Sequence, residues 1–214
     1  MKKHIILLTI IITLLISTGC ASKEKPPRER DETYIADINP FTLDTYHWYT
    51  KKSMGKYKIS DFTVSFAPRT NYIFLSTKIG INYVRVGFSY EERKALQQAF
   101  DQYYEELNTN TISRQKPNKK NTYYKGTALV DWGTTGLSRQ TNTFYYTHAE
   151  FLESNKPYFR IQIMGAEEPE GSQVYSPSFC IYLSPAQWEI LTLAWDQELL
   201  VDQTDKILEE ANAF

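Results

Sequence analysis

His148 and Glu150 stand two positions apart in the alternating stretch Asn142 to Phe151, so both project from one face of a strand as an imidazole beside a carboxylate. That pair is half of a metal site. Completing it takes further ligands, and no third or fourth donor follows at ligand spacing, so an ordinary sheet-surface histidine is expected. Cys180 lies between Phe179 and Ile181, opposite the apolar stripe and without a histidine nearby in sequence. A small, half-buried thiol is expected rather than a nucleophile. Asp101 and Asp196 read as solvated or glutamine-paired helix positions. No G-x-S-x-G, H-E-x-x-H, P-loop or G-x-G-x-x-G is present, so no enzymatic activity, metal or cofactor is expected.

Recognition chemistry is better represented. On the strand positions opposite the apolar stripes stand Tyr83 and Arg85 in the first half, and Tyr158, Arg160, Gln162 and Tyr182 in the second. Tyrosine gives rigid contact area and arginine forked hydrogen bonds, so these six predict a binding face for an envelope protein or a glycan. A second candidate is the run RQKPNKKNTYYK, where Arg114, Lys116, Lys119, Lys120 and Lys125 stand with no acid between them. That patch suits phosphate, anionic lipid headgroups or an acidic glycan. Its simpler reading is a solvated linker.

The elements that must position these residues show a repeat. "FSYEERKALQQAFDQ" from Phe88 and "LSPAQWEILTLAWDQ" from Leu183 align Ser89 with Ser184, Leu96 with Leu191, Ala99 with Ala194 and Asp101 with Asp196. Each follows a strand in the same phase, Val84-Val86-Phe88 and Phe179-Ile181-Leu183. Ser89 with Glu92, and Ser184 with Gln187, read as capping boxes, with Pro185 suited to a first helical position. The helices carry the stripes Leu96, Ala99, Phe100, Tyr103, Leu107 and Trp188, Leu191, Ala194, Trp195, Leu199.

Upstream of the first helix, alternation predicts strands at Phe62–Phe66, Ile73–Ile79 and Val84–Phe88. Upstream of the second it predicts Thr127–Trp132, Asn142–Phe151, Tyr158–Met164 and Phe179–Leu183. The expected fold class is α+β, two tandem β-β-β(-β)-α units of antiparallel sheet, each closed by one amphipathic helix. The first spans 58–110 and the second 126–214, joined by the basic linker 111–125. Residues 34–57 receive no assignment, although "TYHWY" has strand character. The tandem arrangement resembles PUR-domain and Whirly-type proteins, whose paired ββββα units form a curved sheet with the helices behind. That resemblance implies single-stranded nucleic-acid binding, an alternative that the mild acidity of the chain and an export signal count against.

The export signal is Met1-Lys2-Lys3-His4, the apolar run Ile5 to Ile16, and Ser17-Thr18-Gly19-Cys20. As a helix the run rises only about 18 Å, short of a bilayer core. "LLISTGC" resembles the lipobox of bacterial lipoproteins, with Ser17 where leucine is usual. The resemblance implies that residues 1–19 are a cleaved signal peptide and that Cys20 is the lipid attachment site. The chain's two cysteines, Cys20 and Cys180, then have no disulfide to form. Residues 20–33, "CASKEKPPRERDET", read as the lipidated cysteine and a solvated tether. Loss of Lys2 and Lys3 moves the formal charge from −1 to −3. The expectation is a non-catalytic lipoprotein of the cell envelope, joined to the membrane through Cys20. Ala21-Ser22 lacks an inner-membrane retention aspartate, which favours the outer membrane in a cell with two. The ligand and the oligomeric state are left open.

Overall fold

Alternation of inward and outward residues, the inward ones mostly apolar or threonine, builds eight strands: β1 (Phe41–Lys52), β2 (Lys58–Ala67), β3 (Tyr72–Ile79), β4 (Asn82–Phe88), β5 (Tyr124–Gly133), β6 (Arg139–Phe151), β7 (Pro157–Ile163) and β8 (Phe179–Leu183). Three helices accompany them, α1 (Tyr90–Asn108), α2 (Pro185–Ala194) and α3 (Gln197–Asn212). The structure, a computed structural model, describes residues 32–213 except 53–54, 119, 135–138, 153–154 and 169–172. Cys20, the signal segment, most of the tether and Lys119 lie outside the described residues.

Each strand pairs antiparallel with the next, and β1 pairs with β8 as well, so the sheet closes into a barrel. This overturns the expected α+β fold of two tandem β-β-β(-β)-α units. Although α1 and the basic segment separate β4 from β5, the two strands pair directly, with Val84 opposite Trp132 and Val86 opposite Val130. The seam sets Tyr49 against Tyr182 and Thr50 against Ile181. Two separate sheets would each leave unpaired edges, and closure removes them all. The PUR and Whirly arrangement is thereby set aside as a description of the fold.

The strand alternation itself reads correctly. Phe62, Val64, Phe66, Ile73, Leu75, Val86, Phe88, Val130, Ile161 and Leu183 are fully buried and fill the interior, as an eight-stranded barrel allows. The outer wall carries Asp61, Thr63, Lys78, Arg85, Asp131 and Gln140 on β2 to β6. Among the described residues no helix is long and apolar enough to cross a membrane.

Antiparallel pairing brings the end of β4, the start of β5, the start of β7 and the end of β8 to one mouth. There α1 packs against β4 to β7, and α2 against β1 and β8. Phe100 of α1 stacks on Trp188 of α2 with centroids 4.8 Å apart, and the Trp188 indole donates to Gln97 Oε1 at 3.1 Å. These rings continue the barrel core.

The two helix starts differ from the expected symmetry. Ser184 and Gln187 form the full reciprocal box, with Pro185 in the first turn. Ser89 accepts from the Glu92 amide, but the Glu92 carboxylate turns instead to Thr127 and Tyr145. The second helix also breaks at Trp195, where Asp196 begins α3 by accepting from the amides of Glu198 and Leu199. The break rotates the apolar stripe, burying Leu200 and leaving Leu199 46 % exposed.

The unassigned lead-in becomes β1 and a short anchor. Asn71 Nδ2 donates to the Glu32 carbonyl at 2.5 Å, Ile35 N to the Pro68 carbonyl at 2.8 Å, and Arg69 pairs with Asp37. Asn71, at φ 51, turns the β2–β3 connection that receives this segment.

Candidate functional site

Strand register sets two rows across the outer wall of β6, β7, β8 and β1. One runs His148, Arg160, Tyr182, Tyr49, and the other Tyr146, Gln162, Cys180, Lys51. Arg160 is the hub. Its Nε donates to Cys180 Sγ at 3.3 Å, one Nη donates to Gln162 Oε1 at 2.8 Å, and the other pairs with Glu150 Oε2 at 2.9 Å. Glu150 also accepts from the hydroxyls of Tyr57 (2.9 Å) and Tyr182 (3.2 Å), and Lys51 Nζ donates to Tyr57 at 3.3 Å.

Burial works against the Arg160 charge, yet Cys180, Glu150 and Tyr182 around it outweigh that and hold its pKa above the ordinary value. Burial pushes the Cys180 thiol up, with Arg160 opposing, so the sulfur stays protonated at neutral pH. The thiol is buried rather than half-buried.

The segment 114–118 lies over this wall. His148 Nε2 meets the Asn118 carbonyl at 3.0 Å, so in the neutral ring Nε2 carries the proton and Nδ1, without a hydrogen-bond partner among the described residues, is the acceptor nitrogen. At 3 % exposure His148 is not the expected surface histidine, and its burial lowers its pKa. Between the segment and the wall is a cavity of roughly 390 Å³ bordered by Lys51, Lys52, Lys116, Glu150, Arg160 and Cys180.

A second cleft, of roughly 500 Å³, crosses the outer wall of β2 to β5. Arg85 pairs with Asp131, Nε to Oδ2 at 2.6 Å, and its guanidinium lies 4.4 Å from the Phe74 ring centre. Gln140 Nε2 donates to the other Asp131 oxygen at 2.7 Å. Tyr83 is 60 % exposed beside this pair, with Lys78 Nζ over its ring at 5.6 Å. Asp61 closes the cleft and pairs with His47 Nδ1 at 2.8 Å.

The six residues predicted as one face thus divide because the sheet is curled shut. Arg160, Gln162 and Tyr182 meet in the first cavity, and Tyr83 and Arg85 in the second cleft. Tyr158 packs edge-on against Tyr49 at 6.0 Å. The basic residues disperse as well. Lys116 reaches the first cavity, Arg114 lies over Phe151 and donates to Asn155, Lys125 lies over Phe144, and Lys120 is exposed. Lys51, Tyr57 and Asp131 were not legible as site residues, since cross-strand register sets Lys51 beside Cys180 and Asp131 beside Arg85, and Tyr57 arrives from the β1–β2 connection through its bond to Glu150. Asp101 accepts from Gln97 at 2.7 Å, as its glutamine-paired reading expects. Among the described residues, no group of three or more His, Cys, Asp or Glu could hold a metal ion.

The fold and its clefts define a closed, filled antiparallel barrel with helices over one mouth and polar recesses in its outer wall. The chain belongs to the family described as "Uncharacterised Treponema protein", whose model matches residues 31–202. It is also similar to an "Uncharacterized protein" of Treponema pallidum (strain Nichols), 25 % identical over 190 residues, 88 % of this chain and 62 % of the relative. The chain thus spans less than two thirds of that relative's length. No solved structure matches the chain.

Proposed function

We propose that this chain is a lipid-anchored protein of the cell envelope, held to the membrane through Cys20, whose barrel is a non-catalytic binding module for an envelope glycan. The observation that carries the reading is the β2–β5 cleft, where the exposed ring of Tyr83 stands beside the fixed Arg85–Asp131 pair. A sugar offers a C–H face for an aromatic ring and hydroxyls for planar charged groups. Arg85 is already oriented by Asp131 and Phe74, so little ordering opposes binding there. The anchor reading rests on the cationic start, the short apolar run and the small residues before Cys20.

Two measurements test it. Full chain in neutral detergent is screened against solubilised envelope glycan strands and single-stranded DNA. Tyr83→Ala removes glycan capture with an unchanged melting temperature, whereas capture of DNA alone returns the reading to the nucleic-acid alternative. Fatty-acid labelling in cells is lost in Cys20→Ser. Label retained in that variant defeats the anchor.

A further inference from the structure

We propose that the cavity between the outer wall of β1, β7 and β8 and residues 116–118 is a binding site for a phosphoryl group, separate from the glycan cleft. Three cations meet there, Lys51 from β1, Lys116 from the overlying segment and Arg160 from β7, against the single carboxylate of Glu150; Lys52 borders the cavity too, but its ammonium lies against Gly80 at the β3–β4 turn. Glu150 is fully engaged by Arg160, Tyr57 and Tyr182, so its charge is answered within the wall. Neither Lys51 nor Lys116 has an ion-pair partner among the described residues, and Lys51 Nζ donates to the neutral Tyr57 hydroxyl. Positive charge gathered in a recess of low-dielectric walls focuses its field on whatever anion enters.

The donor types choose among anions. A flat carboxylate is best met by a free guanidinium fork, and the Arg160 fork is already committed to Glu150, Gln162 and Cys180. What remains are ammonium groups, point charges carried on separate elements, which suit a multiply charged tetrahedral oxyanion. At roughly 390 Å³ the cavity exceeds many times the volume of about 30 Å³ that one water occupies. It therefore has room for a phosphoryl group and the molecule that bears it. The segment that supplies Lys116 is moored by the His148–Asn118 hydrogen bond and by Tyr123 N to the Thr147 carbonyl, so this wall of the site is built in.

The shared chemistry could come from a soluble phosphate ester or from a phospholipid headgroup, and the test separates them. Full chain in neutral detergent is titrated with inorganic phosphate, glycerol 3-phosphate and chloride at matched ionic strength. It is also floated, Cys20→Ser included, with vesicles of phosphatidylcholine alone or with phosphatidylglycerol. Either phosphate binds in preference to chloride. The combined variant Lys51→Gln, Lys116→Gln weakens that binding by about tenfold or more, and Lys94→Gln, exposed on α1, does not. Phosphatidylglycerol flotation of Cys20→Ser that is lost in the lysine variant assigns a headgroup; soluble binding without flotation assigns a free ester. Lys116→Gln alone, on an exposed loop, shows the same direction without touching a strand. Phosphate binding no stronger than chloride, or unchanged in the lysine variants, overturns the site. Tyr83→Ala leaves phosphate binding intact, so failure of the glycan reading and failure of this one are told apart.

Discussion

Tyr145, an inward-facing residue of β6, donates its hydroxyl to Glu92 of α1 at 2.6 Å, and the same carboxylate accepts from the Thr127 amide at 3.0 Å. A side chain at Gly126 would run into that carboxylate and into the Tyr145 ring, so the glycine is what lets helix and barrel meet. Glu92→Ala strands a fully buried hydroxyl and is expected to cost on the order of 2 to 3 kcal/mol in urea unfolding. Gly126→Ala is expected to be comparably destabilising. Because both act at one contact, the double variant should lose less than the sum, and strict additivity would contradict the contact.

Asp196 and Asp101 occupy equivalent places in the sequence repeat and unequal ones in the structure. Asp196→Ala removes a helix cap and should cost about 1 kcal/mol. Asp101→Ala, on an exposed helix face, should stay within about 0.5 kcal/mol of the native chain. Equal losses would restore the structural repeat.

Arg93 is 4 % exposed and, among the described residues, is held by neutral oxygens: the Asn71 carbonyl at 3.2 Å, Asn71 Oδ1 at 3.0 Å and Gln197 Oε1 at 2.7 Å. Burial lowers its pKa to about 10, so it remains charged at neutral pH. Arg93→Ala should cost on the order of 3 kcal/mol. Since Asn71 also holds Glu32, limited proteolysis between Glu32 and Asp37 should quicken in the variant. A variant as resistant as the native chain would uncouple the two.

Burial raises the hydroxyls of Tyr103, Tyr145 and Tyr182 well above the ordinary tyrosine value. For a group raised in the folded state, the stability it contributes is fully present below the unfolded value of about 10 and falls as pH climbs toward the folded one. The urea midpoint should therefore decline above about pH 10, with the last phenolate absorbance appearing only on unfolding. A buried set that ionises without unfolding would contradict this.

On the acid side, burial holds His148 neutral, with Arg160 opposing its charge and the Asn118 carbonyl and Glu150 favouring it. A lowered folded value means stability that is present above about pH 6.5 and is lost as pH falls through the folded value. Between pH 7 and 5 the native chain should weaken, and His148→Gln should flatten that slope. An unchanged slope would assign the acid response to other groups.

Seven of the eight strands were legible because their inward residues alternate in steady phase, apolar as in Phe62, Val64 and Phe66 or small and β-branched as in Thr141, Thr143 and Thr147. β1 was not, because a bulge between Thr42 and Asp44 shifts its phase and Thr50 takes an inward place among its rings. Closure was hidden for a different reason. Alternation tells which side of a strand faces the core, while the partner of a strand depends on contacts made far away in the chain, such as Val86 with Val130. The apparent duplication then supplied the wrong partition. Individual contact residues could be read, but their grouping could not, since curvature carries Tyr83 and Arg160 to different parts of one wall.

The seam between the first strand and the last also orders events in time. A chain emerging N-terminus first holds β1 with one edge unmatched until Tyr182 and its neighbours have been made. The barrel therefore cannot lock shut before β8 is made, and a nascent chain remains in a threadable state until then.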